Sequence, residues 1–376
     1  MNTKKLFVSV ICLAPMLMSY KFFVPGVSIA EALMLISLLL HALSQKSLWF
    51  SQKLALLVLL FVVLLMHLLY ASSTGVAGHL GYFRLAKYFI LLLFIAVAYQ
   101  DIDYSFLIKV LVICLVVNFF GILYQSFIYL TTGRGIPLLV PFLPLVNAEI
   151  SLESIAKVLD SNFRPGGFFM EPAHLSYYSF FSGLFLYKSD FKHKNIMLIL
   201  ICILLFSTFS SFGLLASVCI FALIFLQFSL YLKITGFLIV SILMLFFLSS
   251  IEEFVTLLPQ VSRLIDPDSV SVTGRLFTGE HLTDQLDPHQ KLWGLGFGNF
   301  ELNGFLNMIT YLRISFGDAG IIILSCTVAA FSIKNHNNFL YISLLVGMAF
   351  FTSMLLTPFL LMATLPFIGA RALEEN

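Results

Sequence analysis

The feature that most constrains this chain is its succession of long apolar runs, separated by only short polar breaks. They cover 6–23, 27–43, 54–70, 83–99, 106–130, 173–187, 195–210, 212–231, 234–251 and 317–333. A membrane span needs about 20 apolar residues, with a range of roughly 17–25. The stretch 339–370 is long for one span and short for two, and Thr357-Pro358 is its natural break. The pattern predicts an all-α polytopic membrane protein with 11–12 transmembrane helices. No internal repeat or low-complexity tract stands out, so a single integral membrane domain over 1–376 is expected.

Composition agrees. Hydrophobic residues make up 60% of the chain and charged residues 11%, against about 25% charged in a soluble domain. The 41 phenylalanines suit lipid-facing and helix-packing surfaces. A net charge of +2 without a basic tail argues against nucleic acid as a partner. The five cysteines, Cys12, Cys114, Cys202, Cys219 and Cys326, lie in apolar runs without CxxC spacing, as small hydrophobes of helices do. Asn2-Thr-Lys-Lys followed by Leu6–Tyr20 imitates a secretory signal. No small-x-small cleavage site closes the run, so an uncleaved first helix is expected.

Lysine and arginine in short loops set the orientation. With the N-terminus inside, the inner segments are Lys4-Lys5, 46–53, 100–104, 188–194, Lys233 and 334–338. All but 100–104 carry lysine, and Lys188, Lys192 and Lys194 cluster in one of them. The short outer loops, 71–81 and the turn at Ser210-Ser211, carry none. Two long polar segments, 131–172 and 252–303, then fall outside. The unusual polar chemistry therefore collects on the face without ATP, and the chain has no Walker A pattern. Any group transfer must draw on a donor already activated in the membrane.

The first outer loop ends in Arg164-Pro-Gly-Gly-Phe-Phe-Met-Glu171-Pro172. Gly166 and Gly167 permit tight turns and let a ligand reach backbone amides. Pro172 suits the first turn of the next helix, and Glu171 at its N-terminus is favoured as a carboxylate by the helix dipole. The alternative is a helix start capped by Glu171, with Arg164 paired to it. The second loop holds Ser271-Val-Thr-Gly274-Arg275 and Trp293-Gly-Leu-Gly-Phe-Gly-Asn-Phe300. Arg275 can grip a phosphate bidentately. The run through Gly294, Gly296 and Gly298 lacks the strand and helix of a dinucleotide fingerprint. It is either a turn bringing backbone near a sugar or diphosphate, or a plain surface turn.

Arg84 and Lys87 stand one turn apart at the outer end of the fourth run, either reaching lipid headgroups or extending a cationic track for a lipid diphosphate. Asn307 and Tyr311 share one face of a short amphipathic stretch that also holds Arg313, before Gly317-Asp318-Ala-Gly320 opens the next span. No histidine is spaced for a metal. His174, one turn after Glu171, is a candidate proton partner.

These residues carry a family resemblance. The segment from Arg164 to Pro172 resembles the R-x-x-G-x-F-x-E-P signature of the O-antigen polymerase (Wzy) family. Thr273-Gly-Arg275 and Gly294-Leu-Gly-Phe-Gly298-Asn resemble its second large periplasmic loop, and Phe316-Gly317-Asp-Ala-Gly320 its following helix. The likeness covers about 80–333. It implies a bacterial inner-membrane glycosyltransferase with its active site facing the periplasm and the N-terminus cytoplasmic. Such an enzyme extends undecaprenyl diphosphate-linked repeat units into a surface polysaccharide, in lipopolysaccharide biosynthesis or a capsule. Inversion at the anomeric carbon, no metal or other cofactor, contact with membrane lipids and a chain-length-determining co-polymerase are also implied. Related O-antigen ligases commonly carry a histidine after the second loop. Asn303-Gly-Phe-Leu-Asn307-Met-Ile-Thr-Tyr311 has none, which favours polymerase over ligase. The paired R-x15-G motifs of some polymerases are not met, since position 180 is Phe180. A flippase without chemistry is the rival from another class, but charged residues here avoid the spans. In the expected mechanism Arg164 and Arg275, with Arg84, hold the donor diphosphate. Glu171 serves as general base or orients Arg164.

Overall fold

The computed structural model describes residues 3–24, 26–44, 52–73, 79–99, 102–140, 142–146, 163–226, 282–300, 306–335, 338–350 and 352–374. Among these the secondary structure is helical, with two isolated β-bridges and no strand. The helices are α1 (Thr3–Leu17), α2 (Ile29–Ser44), α3 (Gln52–Ser73), α4 (His79–Ala98), α5 (Tyr104–Thr132), α6 (Pro172–Lys188), α7 (Lys194–Ser207), α8 (Ser211–Leu226), α9 (Pro288–Trp293), α10 (Met308–Lys334), α11 (Phe339–Ala349) and α12 (Phe359–Glu374). Segments within α3, α4, α5 and α10 are long and apolar enough to cross a membrane: Leu54–Ser72, Gly81–Ala98, Tyr104–Thr132 and Met308–Lys334. A lipid-embedded helix satisfies every backbone group internally, which is why such runs fold this way.

Of the remaining apolar helices α1, α7 and α11 stop short of the ends of their sequence runs, whereas α6 covers the whole of 173–187. At about 1.5 Å per residue, α7 with its 14 residues reaches only about 21 Å. Local chemistry ends them early. After α1, Tyr20 and Lys21 leave the helical path to form bridges with Leu145 and Ser28. After α11, the chain passes through a 3-10 turn at Met354–Leu356 before Thr357-Pro358 and α12. The break expected at that dipeptide is therefore present, within a wider interruption. The expected run 234–251 lies outside the described residues.

The chain packs as two compact units, neither continuous in sequence. One comprises Met1–Val10, Glu31–Ile102 and Val270–Ala363; the other Ile11–Ala30, Asp103–Ser269 and Thr364–Asn376. In the first, α3 packs on α4 and α9 on α10, around buried Leu68, Leu85, Phe297, Tyr311 and Leu312. In the second, α6, α7 and α8 pack against one another and α5 joins α6 and α7. Leu175, Phe181, Phe185, Leu198, Ile201 and Leu205 are fully buried there.

Two helix boundaries matter for the sites. Asp103 caps α5, its side chain accepting from the Phe106 N–H at 3.0 Å, and Gly133 closes it in a left-handed conformation. In α10, Gly317 leaves helical geometry (φ 67°, ψ −174°), dividing the amphipathic first turns from the apolar remainder. That division is the one the sequence predicts at Gly317.

Candidate functional site

The Arg164–Pro172 segment belongs to the second unit and is held from below by α5. Asn118 and Gln125 are buried and seven residues apart, so two helical turns bring them to one face. Each works at both ends. Asn118 Nδ2 donates to the Cys114 carbonyl at 2.8 Å, and its Oδ1 accepts from the Phe168 N–H at 3.1 Å. Gln125 Nε2 donates to the Ile136 carbonyl at 2.8 Å, and its Oε1 accepts from the Gly167 N–H at 2.9 Å. Buried amides demand such partners, the more so in an apolar surrounding.

This changes the role expected of the glycines. The amides of Gly167 and Phe168 are taken by α5 side chains in this structure. Gly167 is required for another reason. Its φ is +58°, and a Cβ there would lie 2.7 Å from Asn118 Oδ1. Gly166 is equally confined, with a Cβ position 3.0 Å from the Phe169 carbonyl. Pro165, Gly166 and Gly167 are buried, and Arg164 is half-buried at the head of the segment.

Glu171 occupies the N-cap of α6 in extended geometry, with Pro172 following at the first helical position. Its carbonyl accepts from the His174 N–H at 3.0 Å. Its side chain makes no capping hydrogen bond, contrary to the capping alternative. The carboxylate instead stands with Oε2 3.8 Å from His174 Nε2, its side chain 43% exposed against 7% for the histidine. Glu171 and His174 thus lie side by side one turn apart, at a separation longer than a hydrogen bond, with one group facing outward and the other buried. Beneath this helix start, the Ser176 hydroxyl lies 2.9 Å from Thr208 Oγ1 and 2.7 Å from Ser210 Oγ. A buried hydroxyl cluster therefore joins the first turns of α6 to the α7–α8 turn.

A second cluster forms in the other unit around Arg84. One terminal nitrogen, Nη1, donates to the carbonyls of Gly298 at 2.7 Å and Phe300 at 2.8 Å. Gly298 has φ +65°, and a Cβ there would lie 2.7 Å from both Arg84 Cδ and the Tyr311 hydroxyl oxygen. The glycine run is accordingly not a surface turn. Leu295 to Asn299 are buried, with the N–H groups of Leu295 and Gly296 bonded to the Ile314 and Ser315 carbonyls, both at 2.9 Å. A Cβ on Gly296 would meet Leu68 Cδ1 at 2.7 Å. The close backbone approach that glycines allow is spent on α10 and α3.

Asn307 and Tyr311 do share a face, the Tyr311 N–H donating to the Asn307 carbonyl at 3.0 Å. Asn307 Oδ1 caps α10 by accepting from the Thr310 N–H at 2.8 Å. Tyr311 is buried, with its ring 5.1 Å from Phe300 and 5.8 Å from Phe297. Lys87 is paired with Glu31 of α2 at 2.9 Å and stands 4.9 Å over the Phe83 ring.

The structure therefore assembles two groups, each within one unit: Gly166, Gly167, Glu171 and His174 in one, Arg84, Gly296, Gly298, Asn307 and Tyr311 in the other. Arg275 lies outside the described residues. The sequence reading missed Asn118 and Gln125. Their signal was present as two amide side chains at seven-residue spacing inside an otherwise apolar helix, where polar groups are costly and functional. Among the described residues no group of three His, Cys, Asp or Glu is placed to hold a metal ion. No family model, curated protein or solved structure matches the chain.

Proposed function

We propose that this chain is a membrane glycosyltransferase that polymerises undecaprenyl diphosphate-linked oligosaccharide repeat units. In this reading it has eleven or twelve spans in the bacterial inner membrane, with loops 131–172 and 252–303 on the periplasmic side. One observation carries it. The Glu171 carboxylate is uncapped and outward-facing at a helix start, on a segment fixed by two buried amide side chains. A general base needs that combination of access and rigid placement.

The acceptor hydroxyl oxygen attacks the anomeric carbon of the donor sugar. Its proton passes to the Glu171 carboxylate. The bond from the anomeric carbon to the diphosphate oxygen breaks, and its electron pair leaves with undecaprenyl diphosphate. Attack opposite the leaving group inverts the anomeric centre. Arg164, seven residues before Glu171, and Arg275 stabilise the charge gathering on the diphosphate. His174 sits beside Glu171 and orients its carboxylate. Arg84, with one nitrogen given to two carbonyls, acts as a positioning residue for the glycine turn.

The experiment uses purified protein with synthetic lipid-linked repeat units, EDTA and no nucleotide. A polymer ladder that disappears in Arg164→Ala and Glu171→Gln supports the reading. Absence of a ladder with folded wild-type protein and cognate substrate would overturn it.

A further inference from the structure

A cleft in the unit that holds Arg84 is not used by this mechanism. It has a volume of about 360 Å³ and is lined by Thr283, Asp284, Leu286, Lys291 and Arg313. That size falls near the lower end of small-ligand sites, roughly 300–1,000 Å³.

Its walls are fixed by local chemistry. Lys291 rises from α9, a short helix closed at its start by a reciprocal pair. The Gln290 N–H donates to Asp287 Oδ1 at 2.8 Å, and the Asp287 N–H donates to Gln290 Oε1 at 3.2 Å. At its other end the Gly294 N–H bonds the Gln290 carbonyl at 2.7 Å, and His67 Nε2 donates to the Trp293 carbonyl at 2.8 Å. Arg313 stands on the amphipathic first turns of α10, two residues past buried Tyr311. Its Nε donates to Asp318 Oδ1 at 2.7 Å, a carboxylate placed just beyond the Gly317 kink. Leu286, with Leu282, packs on buried Leu295, Leu306 and Ile314. Among the described residues neither the Asp284 carboxylate nor the Lys291 ammonium has a hydrogen-bond or ion-pair partner.

The charges select the ligand. A carboxylate and two cations line one space with an aliphatic side chain. A bare diphosphate would meet the Asp284 carboxylate beside its own charge, and a hydrocarbon would strand Asp284 and Lys291, since only Arg313 is already paired, with Asp318. A ring of hydroxyls satisfies each: it donates to Asp284, accepts from Lys291 and Arg313, and lays its C–H face on Leu286. We propose that this cleft is a sugar-binding subsite, taking a ring of the oligosaccharide away from the reacting anomeric carbon. The assignment of that sugar to a lipid-linked repeat rests on the polymerase reading.

The test uses full-length protein in lipid nanodiscs and two probes. One is the lipid-free oligosaccharide hydrolysed from the polyprenyl carrier of the source cells; the other is undecaprenyl diphosphate without sugar. Asp284→Asn and Lys291→Gln alter exposed side chains and leave the fold in place. Loss of one polar contact should weaken oligosaccharide binding roughly tenfold, with binding of undecaprenyl diphosphate unchanged. Wild-type affinity in both variants overturns the subsite, as does wild-type protein that binds no lipid-free oligosaccharide. The polymer ladder is scored separately. A ladder with unaltered oligosaccharide affinity in the variants leaves the polymerase standing and removes the subsite. Variant-sensitive binding without any wild-type ladder does the reverse.

Discussion

Replacing Gly167 with alanine tests the coupling between α5 and the Arg164–Pro172 segment. The residue has φ +58°, where a Cβ costs about 1–2 kcal/mol. The new methyl would also sit 2.7 Å from Asn118 Oδ1, the acceptor of the Phe168 N–H. Displacing that oxygen leaves a buried donor unsatisfied, at about 1–3 kcal/mol. Together the two effects predict roughly 2–5 kcal/mol of destabilisation. Asn118→Ala alone should cost about 1–3 kcal/mol by stranding the same N–H. In the double variant the N–H is lost only once and the methyl has room, so the costs should fall short of additivity by about 1–3 kcal/mol. Equilibrium unfolding of the four proteins in mixed micelles measures this cycle. Additivity within about 0.5 kcal/mol would refute the contact and, with it, the argument that α5 fixes the segment.

Other substitutions probe the remaining contacts. Glu171→Gln should lower the polymerisation rate by about 10²–10⁴ without changing the unfolding midpoint, because its side chain caps nothing; an unaltered rate would remove it as base. Gly298→Ala should destabilise by about 2–4 kcal/mol through a φ of +65° and collision with Arg84 and Tyr311; thermal unfolding within experimental error of wild type would contradict that crowding. Lys87→Met and Glu31→Gln should each cost about 1 kcal/mol and couple in a double-variant cycle, and independent effects would mean the 2.9 Å pair contributes nothing.

What could be read in the sequence was whatever has a period or a local rule. The runs behind α3, α4, α5 and α10 were legible because length and hydropathy suffice for a span. The kink at Gly317 and the break at Thr357-Pro358 follow from single residues. The ends of α1 and α11 were not legible, because bridges and turns terminate them where the apolar run continues. Around the site, the position of Glu171 at the start of α6 was readable from Pro172. The occupancy of the glycine amides was not. It depends on Asn118 and Gln125, about forty to fifty residues earlier, whose seven-residue spacing marks a polar helix face without naming its partner, and on a loop folding back onto Ser315.

That occupancy bears on how any ligand is held. A glycine-rich segment invites the idea of a backbone cradle for phosphate, in which N–H groups point at the anion. In both clusters those groups are already satisfied: Gly167 and Phe168 by α5, Leu295 and Gly296 by α10. The glycines therefore shape the scaffold by allowing close packing, and recognition falls to charged side chains. Affinity for the lipid diphosphate should then depend steeply on Arg164 and on ionic strength, as side-chain ion pairing does. Arg164→Lys keeps the charge but loses the planar two-point grip, so it should recover only part of the binding. Titration of undecaprenyl diphosphate into wild type, Arg164→Lys and Arg164→Ala at two salt concentrations reads this directly. Equal affinity in all three, insensitive to salt, would return the task to the backbone and require Asn118 and Gln125 to release those amides when ligand binds.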